Sequence, residues 1–212
     1  MENRNWACSS GVRALRSHRR GLWFKSRCAH FISMNITLVG MPGVGKSIIG
    51  RELAKKLNYR FLDIDEIIEK RTKLKLQKIL DDFGDDKFLE IEEKTILELN
   101  KFNNYIISPG GSVVYSQRAM KFLKKKSIII FLDISFKLIK EYLLNLSKSL
   151  SKRGIVGLKN KGLETLFKER LPLYKKYADI TVKITEDFNI NTIIKNIYDK
   201  VLLSKRENYS SK

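Results

Sequence analysis

The clearest chemistry in the chain lies in one short stretch. Gly40-Met41-Pro42-Gly43-Val44-Gly45-Lys46-Ser47 keeps the spacing G-x-x-x-x-G-K-S, with the apolar run Ile36-Thr37-Leu38-Val39 before it and Ile48, Ile49 and Leu53 at helical spacing after it. Glycines at these positions let successive backbone N–H groups turn inward around phosphate oxygens, and the start of a helix adds the positive end of its dipole at the same point. Gly43, Val44, Gly45, Lys46, Ser47 and Ile48 are therefore expected to hold the phosphates of a nucleotide, with Lys46 reaching the β and γ groups. The Ser47 hydroxyl is expected on Mg2+, an ion that keeps most of its waters and needs few protein ligands. A glycine-rich turn at an ordinary helix start is the alternative, and strand, loop and helix in register speak against it. The loop alone does not separate a kinase from a GTPase or an ATPase.

A second polar group ends the next apolar run. In Phe61-Leu62-Asp63-Ile64-Asp65 the acids stand two apart, so both face one side as the strand leaves the sheet. Open α/β sheets bind their ligands at that carboxyl edge. Phosphoryl transfer to an alcohol calls for one carboxylate that accepts or orients the acceptor hydroxyl and another that helps hold the metal. Asp65 suits the first task and Asp63 the second. The bland alternative is that Asp65 only caps a helix beginning at Glu66.

What the chain lacks narrows the chemistry further. Cys8, Cys28, His18, His30, Trp6 and Trp23 all precede residue 34, and no other Cys, His or Trp follows. From Met34 onward a disulfide framework, a Cys/His zinc site and a Ser-His or Cys-His pair are excluded. Carboxylates, lysines, arginines, hydroxyls and backbone amides must do the work. The net charge of +19 raises the question of nucleic acid. Arg4, Arg13, Arg16, Arg19, Arg20, Lys25 and Arg27 against Glu2 put +6 of it in residues 1–33, leaving +13 that is mostly dispersed lysine. Runs such as Lys124-Lys125-Lys126 have no interleaved aromatic platform, so a solvated lysine face is expected and a specific nucleic-acid partner is not. No run of eighteen apolar residues points to a membrane.

Elements that could position these groups alternate along the chain. Short β-branched runs at Asn35–Val39, Tyr59–Asp63, Tyr105–Ser108, Ser127–Leu132 and Asp179–Ile184 are separated by amphipathic stretches at 46–57, 65–82, 86–101, 116–125, 136–146, 162–177 and 188–203. This alternation predicts an α/β domain with a parallel sheet and crossover helices over residues 34–204, followed by a polar tail over 205–212 that frays after Leu203. Residues 1–33 lack either period and form a basic appendage. They read as a disordered arm, as a segment ahead of a true start at Met34, or as an organelle-targeting peptide, the first two being favoured.

Residues along this stretch resemble the shikimate kinase family. The phosphate loop with Ile49-Gly50-Arg51-Glu52-Leu53-Ala54, then Phe61-Leu62-Asp63-Ile64-Asp65 with Ile68-Glu69, Gly84, Gly110-Gly111, and Glu169-Arg170-Leu171-Pro172-Leu173-Tyr174 with Ala178-Asp179 follow the family's order over roughly residues 34–185. The resemblance implies a three-layer P-loop kinase fold, with a five-stranded parallel sheet flanked by helices and a mobile lid. It implies an enzyme that uses ATP and Mg2+ to phosphorylate the 3-hydroxyl of shikimate on the route to chorismate and the aromatic amino acids; a cytoplasmic monomer is the accompanying expectation. Matched residue by residue, Lys46 and Ser47 correspond to phosphate and metal contacts, and Asp63 to the metal-side aspartate. Asp65 corresponds to the substrate-hydroxyl aspartate, Gly110 and Gly111 to a glycine triplet lying against the substrate, and Arg170 to an arginine that grips its carboxylate. Arg153 stands where a phosphate-facing lid arginine is found, as a catalytic and nucleotide-binding residue.

The departures fall on acceptor recognition. The family's G-E-x-x-F-R-x-x-E segment reads Gly84-Asp85-Asp86-Lys87-Phe88-Leu89-Glu90-Ile91-Glu92 here, so leucine replaces a carboxylate-binding arginine. A charge-assisted hydrogen bond lost from a closed site costs about 1.5–3 kcal/mol. Lys87 is two residues away on a helix, roughly 200° around its axis, and does not substitute. Ser112 stands at the third glycine, Pro109 at a usual threonine, and Gly154 follows Arg153 where proline is usual. The leading expectation is ATP:shikimate phosphotransfer. A sister kinase of gluconate or homoserine and a non-catalytic nucleotide-binding module are the alternatives.

Overall fold

Asn35–Val39 (β1) is buried along its whole length and forms the middle of the sheet. Apolar and β-branched side chains on both faces suit a strand covered by helices above and below. The computed structural model describes residues 34–99, 102–145, 154–187 and 189–210. The expectations about residues 1–33 lie outside the described residues.

From β1 the chain passes through the glycine loop into Lys46–Leu57 (α1), then Arg60–Asp63 (β2), Ile64–Thr72 (α2), Leu76–Leu97 (α3) and Tyr105–Ser108 (β3). A 3-10 turn at Val113–Tyr115 leads to Gln117–Lys126 (α4), Ser127–Ile134 (β4), Phe136–Asn145 (α5), Leu158–Tyr177 (α6), Ile180–Ile184 (β5) and Ile190–Ser210 (α7). The five strands are parallel in the order β2-β3-β1-β4-β5. Chain order changes direction on either side of β1, and the loops leaving β1, β2 and β3 meet at that edge, the usual ligand position in such sheets. The Asn35 side chain anchors the opposite edge: Nδ2 donates to the carbonyls of Phe102 and Lys126 at 2.9 Å each, and Oδ1 accepts from the Tyr105 N–H at 3.0 Å.

Strand expectations hold to within one or two residues, whereas several helices differ. The stretch 65–82 is not one helix: α2 stops where Lys73 turns left-handed at φ 59°, and α3 begins at Leu76. α3 runs through the gap expected at 83–85, kinked at Gly84. α6 likewise starts before 162 and kinks at Gly162. The fraying expected after Leu203 is corrected: α7 continues to Ser210, in keeping with the helix propensities of Lys205, Arg206 and Glu207. Among the described residues no helix is long and apolar enough to cross a membrane.

Candidate functional site

The phosphate loop is built around two glycines in conformations that other residues rarely adopt, Gly43 at φ 87° and Gly45 at φ 94°. Gly45 is the N-cap of α1 and brings no side-chain cap, so the first N–H groups of the helix face the loop. The buried Lys46 ammonium donates to the carbonyls of Gly40 at 2.9 Å and Met41 at 3.2 Å, drawn back along the loop itself. Burial pulls its pKa down to about 8, against the opposing charges of Asp65 and Asp63. Ile48 is exposed on the rim.

Asp63 closes β2 and caps α2, its Oδ1 accepting from the Asp65 N–H at 3.1 Å. The capping task thus belongs to Asp63, and Asp65 is released from it. Ser47 Oγ donates to Asp63 Oδ2 at 2.7 Å, joining the loop to β2. A hydroxyl and a carboxylate side by side fit Mg2+, which takes one or two protein oxygens and retains water, and among the described residues no group of three or more acids, histidines or cysteines could encircle a metal. Asp65 is half-buried as a whole, yet its Oδ1 is shut off from solvent without a hydrogen-bond partner. Burial, and then the charge of Asp63, push its pKa up to about 6 despite Lys46.

Arg170 reaches the same space from α6. At 1% exposure it is no surface arginine. Nε donates to the Tyr115 hydroxyl at 3.2 Å, Nη2 donates to the Val156 carbonyl at 2.8 Å, and the guanidinium lies 5.1 Å from the Tyr115 ring centre. The Tyr174 hydroxyl donates to the Gly111 carbonyl at 2.6 Å, fixing the loop after β3 against α6. A Cβ on Gly111 would stand 2.8 Å from Pro42 and 3.2 Å from Arg170 Nη1. One on Gly110 would stand 2.6 Å from Glu92 Oε1 and 3.1 Å from Asp65 Oδ1. The backbone therefore comes closer to these groups than any side chain would permit.

Lys46, Ser47, Asp65, Gly110, Gly111 and Arg170 line one cavity of about 430 Å³. Gly43, Gly45 and Ile48 border it as well, while Val44 is buried beneath the loop. Arg153, expected to face the phosphates, lies outside the described residues. Leu89 is half-buried and does not line the cavity, and Lys87 points away, paired with Glu90 at 2.7 Å. No cation replaces the missing arginine from that turn. Sequence reasoning overlooked Tyr115, which carries Arg170, and Glu92, which is buried at 2% exposure with Oε2 accepting from Ser112 Oγ at 2.8 Å. Glu92 was detectable as an acid one helical turn after the buried Phe88, on the face that should be apolar. Nothing local marked Tyr115.

A family model described as shikimate kinase matches residues 42–202. The shikimate kinase of Thermodesulfovibrio yellowstonii is 37% identical over 150 residues, covering 70% of this chain and 84% of that protein. The enzyme of the same name from Haemophilus influenzae is 35% identical over 169 residues, covering 79% and 92%. Among solved structures, shikimate kinase from Acinetobacter baumannii in complex with shikimate superposes with a TM-score of 0.69 at 27% identity, covering 84% of this chain and 95% of that one.

Proposed function

Because the chain belongs to the shikimate kinase family and is an ATP-dependent kinase of shikimate, we propose that the residues lining the 430 Å³ cavity divide the reaction between them. The γ-phosphoryl group of ATP passes to a shikimate hydroxyl. The hydroxyl oxygen bonds to the γ-phosphorus, the bond to the β,γ-bridging oxygen breaks, and ADP leaves.

Asp65 orients the acceptor hydroxyl and takes its proton. The observation that carries this assignment is that Asp65, which lines the cavity shared by the phosphate loop and Arg170, carries a buried Oδ1 without a partner beside Gly110. Such an oxygen costs stability unless a ligand uses it. With a pKa of about 6, Asp65 is ionised at neutral pH and close enough to it to accept a proton efficiently. The loop amides from Gly43 to Ile48 cradle the phosphates. Lys46 exchanges the carbonyls of Gly40 and Met41 for phosphate oxygens, which raises its pKa and keeps it charged. Ser47 and Asp63 hold Mg2+, which supplies neutralisation of the triphosphate charge. Arg170, held rigid by Tyr115 and Val156, grips the acceptor carboxylate, and Gly110 and Gly111 let the acceptor lie against the backbone.

ADP release with Mg2+-ATP, compared for shikimate, gluconate, homoserine and no acceptor, tests this reading. Turnover on shikimate alone is the expected result, and turnover on another acceptor or none at all overturns it. Asp65→Asn keeps the shape and removes the base, so kcat should fall by about 10²–10⁴ while ATP affinity stays within about twofold. Retained turnover would remove Asp65 from the mechanism.

A further inference from the structure

Glu92 is an acid of this site to which the scheme above gives no task. It projects from α3 and is 2% exposed. Ser112 donates to Oε2, whereas Oε1 has no hydrogen-bond partner. That oxygen stands 2.6 Å from the point a Gly110 Cβ would occupy, and the unpartnered Asp65 Oδ1 stands 3.1 Å from the same point. Two dry carboxyl oxygens thus converge on one side of Gly110, next to the acceptor cavity.

The charged groups that face Glu92 are Asp65 from α2, Lys46 from the start of α1 and Arg170 from α6. The Tyr174 hydroxyl of α6 and the Ser112 hydroxyl complete its surroundings. One turn back along its own helix stands Leu89, which brings no charge, and the Lys87 ammonium is engaged with Glu90. Two carboxylates so near each other in a dry pocket do not both ionise cheaply.

We propose that Glu92 is a positioning residue for the anionic acceptor and works as the neutral acid, its proton standing in for a cation that this turn of α3 lacks. Ser112 occupies Oε2, which leaves the proton on Oε1, directed at the gap shared with Asp65 Oδ1. One proton from Glu92 leaves the Asp65 carboxylate lone pairs to spare, so the carboxylate is held in place and still accepts from the substrate hydroxyl. Ionisation of Glu92 adds a second negative charge beside Asp65 and repels the acceptor carboxylate that Arg170 must hold. Burial and the Asp65 charge push the Glu92 pKa up to about 7, outweighing Ser112, Arg170 and Lys46. The proton is therefore present below neutrality and lost above it. This inference rests on the acceptor-site roles proposed for Asp65 and Arg170.

The test is KM for shikimate between pH 6 and 7.75 at saturating Mg2+-ATP, whose phosphates, in the scheme above, keep Lys46 charged although burial pulls its pKa down to about 8. With the full chain, KM should be level near pH 6 and climb toward about tenfold per pH unit above neutrality, with kcat changing less. Glu92→Gln, which keeps a donor and cannot ionise, should abolish the climb. A residue needed only for packing would not change the profile in this way. Ser112→Ala removes a hydrogen bond that favours the ionised form, so the climb should move to higher pH, a second readout should the glutamine variant fold poorly. A flat wild-type KM, a climb that persists in Glu92→Gln, or an unmoved midpoint in Ser112→Ala overturns the proposal. Absence of turnover on shikimate at every pH would overturn the proposed function and this inference together, whereas turnover with a flat KM defeats the inference alone.

Discussion

Gly110 is where the site has least room, and its absent side chain is as informative as the charged ones. A methyl group there would meet Glu92 Oε1 at 2.6 Å, closer than real Cβ atoms come, and Asp65 Oδ1 at 3.1 Å, a contact tighter than most. Both oxygens end side chains of the site, so making room for the methyl group turns one or both carboxyl groups away from their positions beside the cavity. Gly110→Ala should therefore lower kcat/KM for shikimate by about 10²-fold, the cost of misplacing a reacting group by roughly an ångström. ATP affinity should stay within about twofold, because the phosphate loop does not touch this position. Steady-state kinetics with each substrate varied in turn provide the check, and an equal loss for both substrates would contradict the geometry. Ser112 makes a related point. At a glycine position in the family's pattern it does not crowd the cavity, since its hydroxyl turns aside to Glu92 and remains buried.

At the scale of elements, the sequence was most legible where a single period covers the whole element. All five strands stand at the expected positions, and β1, β3 and β4 begin at the expected residues, because long β-branched runs buried on both faces leave little else for the chain to do. The phosphate loop was legible for the same local reason: its chemistry needs residues at fixed separation on one turn. Helix boundaries around Gly84 and Gly162 were not, because a kink and a chain break look alike in a hydrophobic pattern. Glu92, Ser112, Tyr115 and Arg170 come from α3, the loop after β3 and α6, and only the tertiary fold brings them together. The Gly84 kink carries its own prediction. At φ 80° and ψ 175° it occupies a region almost reserved for glycine, while nothing lies within 4 Å of a would-be Cβ. Gly84→Ala should then destabilise the protein by about 1–3 kcal/mol through backbone strain alone. Urea unfolding would report this as a lower midpoint with an unchanged slope, and an unchanged midpoint would mean that the kink relaxes without cost.

At the scale of the whole molecule, the charge is unevenly shared between the appendage and the catalytic unit. Residues 1–33 carry +6 of the +19, while the described residues lining the cavity lie between Pro42 and Arg170 and the family match begins at residue 42. ATP and shikimate are both anions, and the remaining +13 supplies a positive field that can speed their arrival without any contribution from the appendage. A chain beginning at Met34 should accordingly keep kcat and both KM values within about twofold of the full chain at low ionic strength. Raising the salt should weaken kcat/KM by the same modest factor in both forms, since the steering charges are surface lysines screened over about 10 Å at 0.1 M salt. Retention on an anionic polymer such as heparin should differ between them, because the seven basic side chains of residues 1–33 add to the polymer charges neutralised and hence to the counterions released. A fall in kcat of more than about tenfold on removing residues 1–33 would give the appendage a part in the chemical step, beyond the described groups around Asp65.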